Sequence, residues 1–288
     1  MRRLKVFFLL FIFLFSFASV YSQNHPQRII SLGPAITEEL YLLGVGDRIV
    51  ANTVYCKRPS DAEKREKVGT VIKVDLEKIV KLKPDLVLVT SLTDREQLQK
   101  MKNLRINVIE IPNAKNFQDI CGNFLKIGEL VGKRKGAEKI IEKVKIKVGS
   151  IREKIKHLTR QKVIVQMGAR PLYVATKRYF VDDFIEFAGG INIAGNSETG
   201  LYSYEKVLKQ NPDVIIITTM GIAGEEEKKI WQKYKTLNAV RNNRIYIIDS
   251  YRLCSPTPVT FVETLKEIVK ILHPFVKEHQ CTRTSEHQ

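Results

Sequence analysis

Apolar residues come in short runs along this chain, and one run occurs twice in the same setting. Residues 77–90 read EKIVKLKPDLVLVT, and residues 205–218, 128 positions later, read EKVLKQNPDVIIIT. Each copy predicts a short helix, a Pro-Asp turn and a buried parallel strand. Proline disfavours the helical conformation of the residue before it, and four consecutive aliphatic residues suit a strand covered on both faces. A repeat of this size indicates two similar lobes.

The same alternation of strands and helices extends over most of the chain. Thr37 is predicted to cap a helix that ends at Gly44, and residues 249–258 are predicted to form a loop. Other predicted strands are residues 28–32, 48–52, 107–111, 162–166 and 244–248. Strands that alternate with helices predict the α/β class, here as two similar Rossmann-like lobes with parallel sheets.

A long helix is predicted between the lobes. Six apolar residues recur at steps of three and four: Ile141, Val144, Val148, Ile151, Ile155 and Leu158. They form one stripe on a helix that is roughly 33 Å long at 1.5 Å per residue, enough to run along two small lobes. A coiled-coil dimer is the alternative interpretation, although about three heptads barely support one.

The two ends are predicted to lie outside the fold. Three basic residues, an apolar run over residues 6–20 and small residues near Ser22 are typical of a secretory signal cleaved near Ser22. The run is shorter than the roughly 20 residues that span a bilayer. The predicted organisation is a signal peptide (1–22), an N-terminal α/β lobe (24–131), the linking helix (132–159), a C-terminal α/β lobe (160–276) and a disordered tail (277–288).

Charge adds little to this picture. The formal net charge of +17 falls to +14 when the predicted signal is removed, and such a charge raises nucleic acid as a partner. However, Lys and Arg alternate with Glu along helical segments such as residues 63–67, which favours solvated helix faces with i, i+4 pairs. Because an exported protein rarely meets nucleic acid, we expect none as a partner.

Several short motifs together resemble BtuF-like (class III) periplasmic substrate-binding proteins of ABC importers. They are RIISLGPAITEEL at 28–40, DLEKIVKLKPDLV at 75–87, AGGINI at 188–193 and SYEKV at 203–207. The resemblance extends from about residue 26 to 273. It implies two α/β lobes joined by one long helix, a ligand cleft between the lobes and no enzymatic activity. Proteins of this family deliver cobalamin, ferric siderophores or haem.

The resemblance also implies a partner, an ABC permease dimer with its ATPase. The binding protein itself is expected to be a monomer that contacts the membrane only through this permease. In this family one surface Glu on each lobe docks with arginines of the permease. The matching residues are Glu77 and Glu205, the first residues of the two repeat copies. Glu is also favoured in the first turn of any helix, so a purely structural role is the alternative.

The ligand is expected at loops that follow the strands of each lobe. Aromatic rings can cover a macrocycle, and arginines can bind its acidic groups. The candidate ligand-binding residues are Tyr55, Arg58, Arg170, Tyr173, Tyr202, Asp249, Tyr251 and Arg252. For each tyrosine, packing against its own lobe is the alternative.

Cobalamin is the leading ligand, bound without any further cofactor, and haem or a ferric siderophore is the alternative. The cobalamin-binding pattern has a Trp soon after the Gly of the first lobe, where this chain has Thr70 and Val71. It has another before the second Glu motif, where residues 199–202 read TGLY. The only tryptophan, Trp231, is predicted on a helix.

Other classes of function have weak support. No histidine lies in a predicted cleft loop, so neither a histidine-rich metal site nor a Ser-His-Asp or Cys-His catalytic centre is expected. Cys56 and Cys254 could face each other across the cleft as a disulfide or soft-metal site, with inert thiols as the alternative. The other hypotheses are an exported enzyme using Asp182, Asp183 or Asp249, and a membrane-tethered adhesion module.

Overall fold

The computed structural model describes residues 25–218 and 224–274. The predicted signal peptide and the polar tail therefore lie outside the described residues. In the described part, strands and helices alternate as the sequence predicts, in two α/β lobes joined by a long helix. The predicted fold class is confirmed.

The first lobe is built on a five-stranded parallel sheet in the order β3-β2-β1-β4-β5. Its strands are β1 (Ile29–Ser31), β2 (Ile49–Asn52), β3 (Glu66–Lys67), β4 (Leu86–Thr90) and β5 (Val108–Ile111). Its helices are α1 (Pro34–Leu42), α2 (Ser60–Glu63), α3 (Leu76–Lys81), α4 (Arg95–Asn103) and α5 (Phe117–Leu130). Because the strands are parallel, the loops after β1, β2, β4 and β5 meet at one edge of the sheet.

The linking helix α6 (Arg134–Ile155) has 22 residues, and its predicted apolar positions are buried as far as Ile155. Leu158 lies beyond the helix end, in a turn where its N–H donates to the Ile155 carbonyl at 2.9 Å. The stripe therefore ends one position earlier than predicted, because the chain turns there to enter the second sheet.

The second lobe repeats the plan with one variation. Its strands are β6 (Gln161–Gly168), β7 (Tyr173–Val174), β8 (Gly190–Asn192), β9 (Val214–Thr218) and β10 (Ile245–Ile248). Its helices are α7 (Val181–Phe187), α8 (Tyr204–Gln210), α9 (Gly224–Trp231), α10 (Asn238–Arg241), α11 (Ser250–Cys254) and α12 (Pro258–Leu272). Strands β8, β9 and β10 run parallel to their neighbours, whereas β7 pairs antiparallel with β6.

The repeated segment places the same contacts in both lobes. In the first lobe the Asp85 carboxylate accepts the backbone N–H groups of Gln27 and Arg28, at 2.7 and 3.0 Å, immediately before β1. In the second lobe Asp213 accepts the N–H of Lys162 at 2.9 Å, at the start of β6. The aspartate of each copy thus fixes the register of the strand beside it, which explains the repeated Pro-Asp turn structurally.

Three apolar clusters hold the fold together. One covers the outer face of the first sheet and a second covers the outer face of the second sheet. The third runs without interruption from the inner face of one sheet to that of the other, through α5, α6 and α12. At its centre the Phe261 ring stacks on Phe184, 4.1 Å between centroids, and lies 4.6 Å from Phe117 of the first lobe.

Two local predictions are wrong. Thr37 does not cap its helix: α1 begins at Pro34, whose ring favours the first helical position, and Thr37 is buried with its hydroxyl 2.8 Å from that of Ser31. Residues 249–258 do not form a loop throughout, because Asp249 accepts the N–H of Tyr251 at 2.9 Å and caps the short helix α11.

Candidate ligand-binding cleft

A cleft of about 730 Å³ lies between the two lobes. The first lobe contributes the start of α1 and the loops after β2, β4 and β5, together with the turn at residues 70–72. The second lobe contributes α11, the residues on either side of it and Phe180. The cleft therefore lies at the carboxyl ends of the strands, where parallel α/β proteins bind ligands.

The first-lobe wall of the cleft is apolar and uncovered. Tyr55, Ile72 and Leu92 line it with 52%, 61% and 61% of their surfaces exposed. Val71 lines it as well, at the place where the cobalamin-binding pattern has a tryptophan. A cluster of exposed apolar side chains marks an interaction surface, because covering these side chains with a ligand would remove apolar surface from water.

Two hydrogen bonds hold this wall in shape. The Val71 carbonyl accepts from the Thr93 hydroxyl at 3.2 Å, and the Ile72 carbonyl accepts from the Asp94 N–H at 3.1 Å. Thr93 itself is buried. The turn bearing Ile72 and the loop bearing Leu92 are thus tied together before a ligand arrives, which lowers the entropic cost of binding.

The second-lobe wall is formed by α11, with Tyr251 as its main aromatic side chain. The Tyr251 hydroxyl is buried without a hydrogen-bond partner among the described residues, and burial raises the pKa of this phenol to about 12. Asp249 and Cys254 line the cleft on the same wall. This wall combines an aromatic ring with an unused polar group.

Arg58 connects the two walls. Its guanidinium lies 3.9 Å from the centroid of the Tyr251 ring, donates to the Tyr251 carbonyl at 3.2 Å and approaches Glu38 of α1 at 3.4 Å. Arg58 Nε and Glu38 Oε2 are also buried without hydrogen bonds among the described residues. Arg58, predicted as a ligand contact, thus acts in this structure as a bridge between the lobes.

Glu39 lies at the floor of the cleft, one position along α1 from Glu38. Its side chain is only 4% exposed and yet lines the cleft. Within residues 25–218 and 224–274 its carboxyl has no hydrogen-bond donor or cation as a partner. Burial raises the pKa of Glu39 well above its ordinary value, and the negative charge of Glu38 acts in the same direction. Both effects favour the neutral form of the carboxyl.

Of the eight predicted ligand-binding residues, Tyr55, Asp249 and Tyr251 line the cleft, and Arg58 lies beside it. Arg252 faces away, in an ion pair of 3.0 Å with Glu267 of α12. The Tyr173 hydroxyl bonds to that of Tyr179, and the Tyr202 hydroxyl donates to the Ile193 carbonyl at 3.3 Å within the second lobe. Arg170 is exposed in the loop after β6. Arg252, Tyr173, Tyr202 and Arg170 therefore do not line the cleft, and their role in ligand binding stays a prediction.

The cleft residues that the sequence analysis did not propose include Glu39, Ile72 and Phe180. Ile72 carried a usable signal, because it directly follows the Thr70-Val71 pair that replaces the pattern's tryptophan. Glu39 carried none, since a glutamate in the first turns of a helix is normally solvated. Phe180 precedes α7 and has no distinctive neighbours in the sequence.

The two repeat glutamates occupy equivalent positions. Glu77 and Glu205 are exposed in the first turns of α3 and α8, behind the caps Asp75 and Ser203. In the described part of the chain neither forms an ion pair with Lys or Arg. Hydrogen bonds from its own backbone N–H and from Ser203 lower the pKa of Glu205. Both lobes therefore display an unpaired acidic group at the same structural position.

Cys56 and the candidate enzyme carboxylates have structural partners. Cys56, Cys121 and Cys254 are free thiols, and Cys56 Sγ lies 3.1 Å from the Thr37 hydroxyl within the first lobe. Asp183 accepts the Phe117 N–H at 2.6 Å, across the lobes, and Asp182 accepts from the Asn192 side chain at 2.7 Å. Among the described residues, no group of three or more His, Cys, Asp or Glu is placed to hold a metal ion.

Two lobes, one linking helix and a cleft at the carboxyl ends of both sheets define a substrate-binding protein. The chain belongs to the periplasmic binding protein family, whose sequence pattern matches residues 29–252. It is thus a binding protein and not an enzyme. No helix in residues 25–218 or 224–274 has the length and apolar character needed to cross a bilayer.

Three relatives show which kinds of binding protein this chain is similar to. The ABC transporter substrate-binding lipoprotein YvrC of Bacillus subtilis is 29% identical over 263 residues, 88% of this chain and 82% of that protein. The vitamin B12-binding protein of Vibrio cholerae is 27% identical over 265 residues, 90% of this chain and 95% of that protein. The structure of a possible iron-binding periplasmic protein from Staphylococcus epidermidis is 28% identical, with a TM-score of 0.77, and covers 87% of this chain and all of that one. The resemblance in the sequence motifs is confirmed at the level of the family.

Proposed function

We propose that this chain is an exported binding protein that captures a corrinoid such as cobalamin and delivers it to an ABC permease. The observation that carries the proposal is the uncovered apolar wall of Tyr55, Ile72 and Leu92, which faces the Tyr251 wall across the cleft. At about 730 Å³ the cleft falls in the upper part of the range for small-molecule sites, about 300–1,000 Å³. A flat macrocycle placed there would bury both walls.

A ferric siderophore or haem is the second candidate ligand of the same cleft. The observation that favours it is the replacement of an aromatic side chain by Thr70 and Val71 in the cleft wall. The Staphylococcus epidermidis relative, described as possibly iron-binding, is about as similar as the vitamin B12-binding one. In either case the same first-lobe wall would contact the ligand.

Isothermal titration of the mature protein with cyanocobalamin, haem and a ferric siderophore tests the ligand. We expect saturable binding of cyanocobalamin, accompanied by a change in its visible spectrum. Binding of haem or the ferric chelate alone would replace cobalamin by the second candidate. Binding of none of the three would overturn the proposed function.

The permease partner is tested separately. Reversing both charges, Glu77→Lys with Glu205→Lys, is expected to abolish ligand uptake by cells while leaving ligand affinity in solution unchanged, because both residues lie outside the cleft. A control reverses Glu96 and Glu153, which are also exposed helical glutamates and which pair with lysines. Normal uptake by the first double variant would refute the docking role.

A further inference from the structure

Glu39 is an almost wholly buried residue whose carboxyl meets no hydrogen-bond donor or cation among the described residues. Two apolar residues, Ile36 and Ile120, line the cleft with it, and the buried Cys121 of α5 lies within electrostatic reach of it. Burying a polar group without a hydrogen bond is costly, so native proteins seldom leave one in this state unless a ligand or water completes it. The carboxyl lines the cleft, which leaves the cleft as the side from which a partner can come.

The surroundings of Glu39 favour the protonated carboxyl, and protonation determines which hydrogen bonds the group can make. Glu38 occupies the neighbouring position, where burial raises the pKa of its carboxyl and the Arg58 guanidinium 3.4 Å away offsets part of that rise. A neutral carboxyl has one O–H donor and one carbonyl acceptor side by side. The group complementary to it is a primary carboxamide, which offers a carbonyl acceptor and an N–H donor with the same spacing and closes a ring of two hydrogen bonds.

A carboxylate on the ligand would fit this floor less well. It could accept the one O–H but would leave the carbonyl oxygen of Glu39 unpaired. It would also bring a second negative charge close to Glu38 in a site of low polarity, where like charges repel strongly.

We propose that Glu39 is a ligand-contacting residue that binds a primary carboxamide on the inserted edge of the ligand and so selects an amide-bearing chelate over a carboxylate-bearing one. This inference rests on the proposed function, since it takes the cleft as the binding site. It names the chemistry that separates the two candidate ligands: corrinoids carry peripheral primary amides, whereas haem carries carboxylates.

Two substitutions at Glu39 test the contact by titration with cyanocobalamin. Glu39→Leu removes both hydrogen-bonding atoms, and we expect it to weaken binding about tenfold or more, which corresponds to about 1.4 kcal/mol. Glu39→Gln keeps one donor and one acceptor in nearly the same places, and we expect it to recover most of the affinity, to within about threefold of the wild type. Unchanged affinity of Glu39→Leu would overturn the inference and leave the proposed function intact.

A corrinoid whose side-chain amides are hydrolysed to carboxylates tests the selectivity. Wild-type protein is expected to prefer the amide form at least tenfold, and the preference is expected to shrink in Glu39→Leu, because coupling between two changes identifies their direct contact. An equal preference in both proteins would refute the amide assignment. If wild-type protein binds no chelate at all, the proposed function fails and this inference fails with it.

The thermal stability of the ligand-free variants separates a binding role from a structural one. An unpaired buried carboxyl destabilises the empty protein, so Glu39→Leu is expected to melt several degrees higher than wild type while binding cyanocobalamin more weakly. A glutamate that serves the fold would show the opposite, a lower melting temperature, and that result would overturn the inference.

Discussion

The two walls of the cleft differ in how completely their own lobe uses them. On the first lobe Ile72 and Leu92 project side chains that are 61% exposed, from loops tied together beneath by Thr93. On the second lobe Tyr251 already has Arg58 against its ring. The first wall is held by hydrogen bonds within its own lobe, whereas the second is contacted across the cleft by Arg58. We infer that ligand affinity comes mainly from the first lobe, whereas the second lobe sets how the two lobes are held together.

The largest effect is expected from removing the apolar side chains of the first wall. The double substitution Ile72→Ala with Leu92→Ala should weaken ligand binding about 100-fold, because each side chain would lose about 1–2 kcal/mol of apolar burial against the ligand. The free energy of unfolding should hardly change, since both side chains are exposed in the empty protein. The measurement is titration with cyanocobalamin, the proposed ligand.

Leu201→Ala is the matched control for that experiment. Leu201 is 53% exposed on the second lobe and does not line the cleft, so its loss should leave affinity unchanged. Equal losses from both lobes, or none from the first, would contradict the division of roles between the walls.

The Arg58 bridge across the cleft should contribute more to the stability of the fold than to ligand affinity. Arg58→Ala is expected to lower the free energy of unfolding by about 1–2 kcal/mol, because it removes a cation–π contact and leaves Glu38 without its partner. Arg95→Ala, which breaks an exposed pair with Glu110, should cost at most about 0.5 kcal/mol. Urea unfolding measures the loss of unfolding free energy in both variants. Similar losses would show that the Arg58 bridge stabilises the fold no more than an exposed ion pair does.

The buried carboxyl of the first lobe predicts a specific dependence on pH. The pKa of Glu39 is raised above its ordinary value of 4.5 in the folded protein, so the folded state keeps a proton that the unfolded chain releases. Wild-type stability should therefore fall relative to Glu39→Gln as pH rises above about 4.5. Urea unfolding of the two proteins between about pH 5 and pH 8 gives this difference. A difference that stays constant over the range would contradict a raised pKa.

The smallest effect is expected from the orphaned hydroxyl of the second wall. Tyr251→Phe should leave the free energy of unfolding unchanged or raise it by a few tenths of a kcal/mol, because the hydroxyl has no hydrogen bond to the part of the chain that the structure describes. Tyr179→Phe should cost about 1 kcal/mol, since it breaks the bond to the Tyr173 hydroxyl. A clear loss from Tyr251→Phe would mean that this hydroxyl has a partner in solution.

The strands and the repeat were predictable because their signals are local. Four aliphatic residues after Pro-Asp specify a buried strand, and Asp85 and Asp213 then make the same contact twice. The cleft was predictable only in part. Tyr55 and Tyr251 follow strands and stand out by residue type, whereas Glu39 lies within a helix whose burial depends on α5 packing beside it. The sequence therefore does not show which of the adjacent residues Glu38 and Glu39 is buried, because that depends on the packing of α5 against α1.

Thr37 and Asp249 illustrate the same limit at shorter range. Both are good capping residues, yet only Asp249 caps a helix, because Pro34 starts α1 a turn earlier than Thr37 would. A proline at the first helical position is itself a local signal, and giving it priority over a threonine three residues later would have placed α1 correctly.

The shared aromatic centre of Phe117, Phe184 and Phe261 has a consequence for how the protein comes apart. Because each lobe covers the other's apolar face there, neither half retains a complete interior when the other is lost. Heating should therefore melt the whole chain as one cooperative unit, with a single calorimetric transition in place of two. A protein built this way cannot swing its halves far apart without exposing this aromatic centre to water.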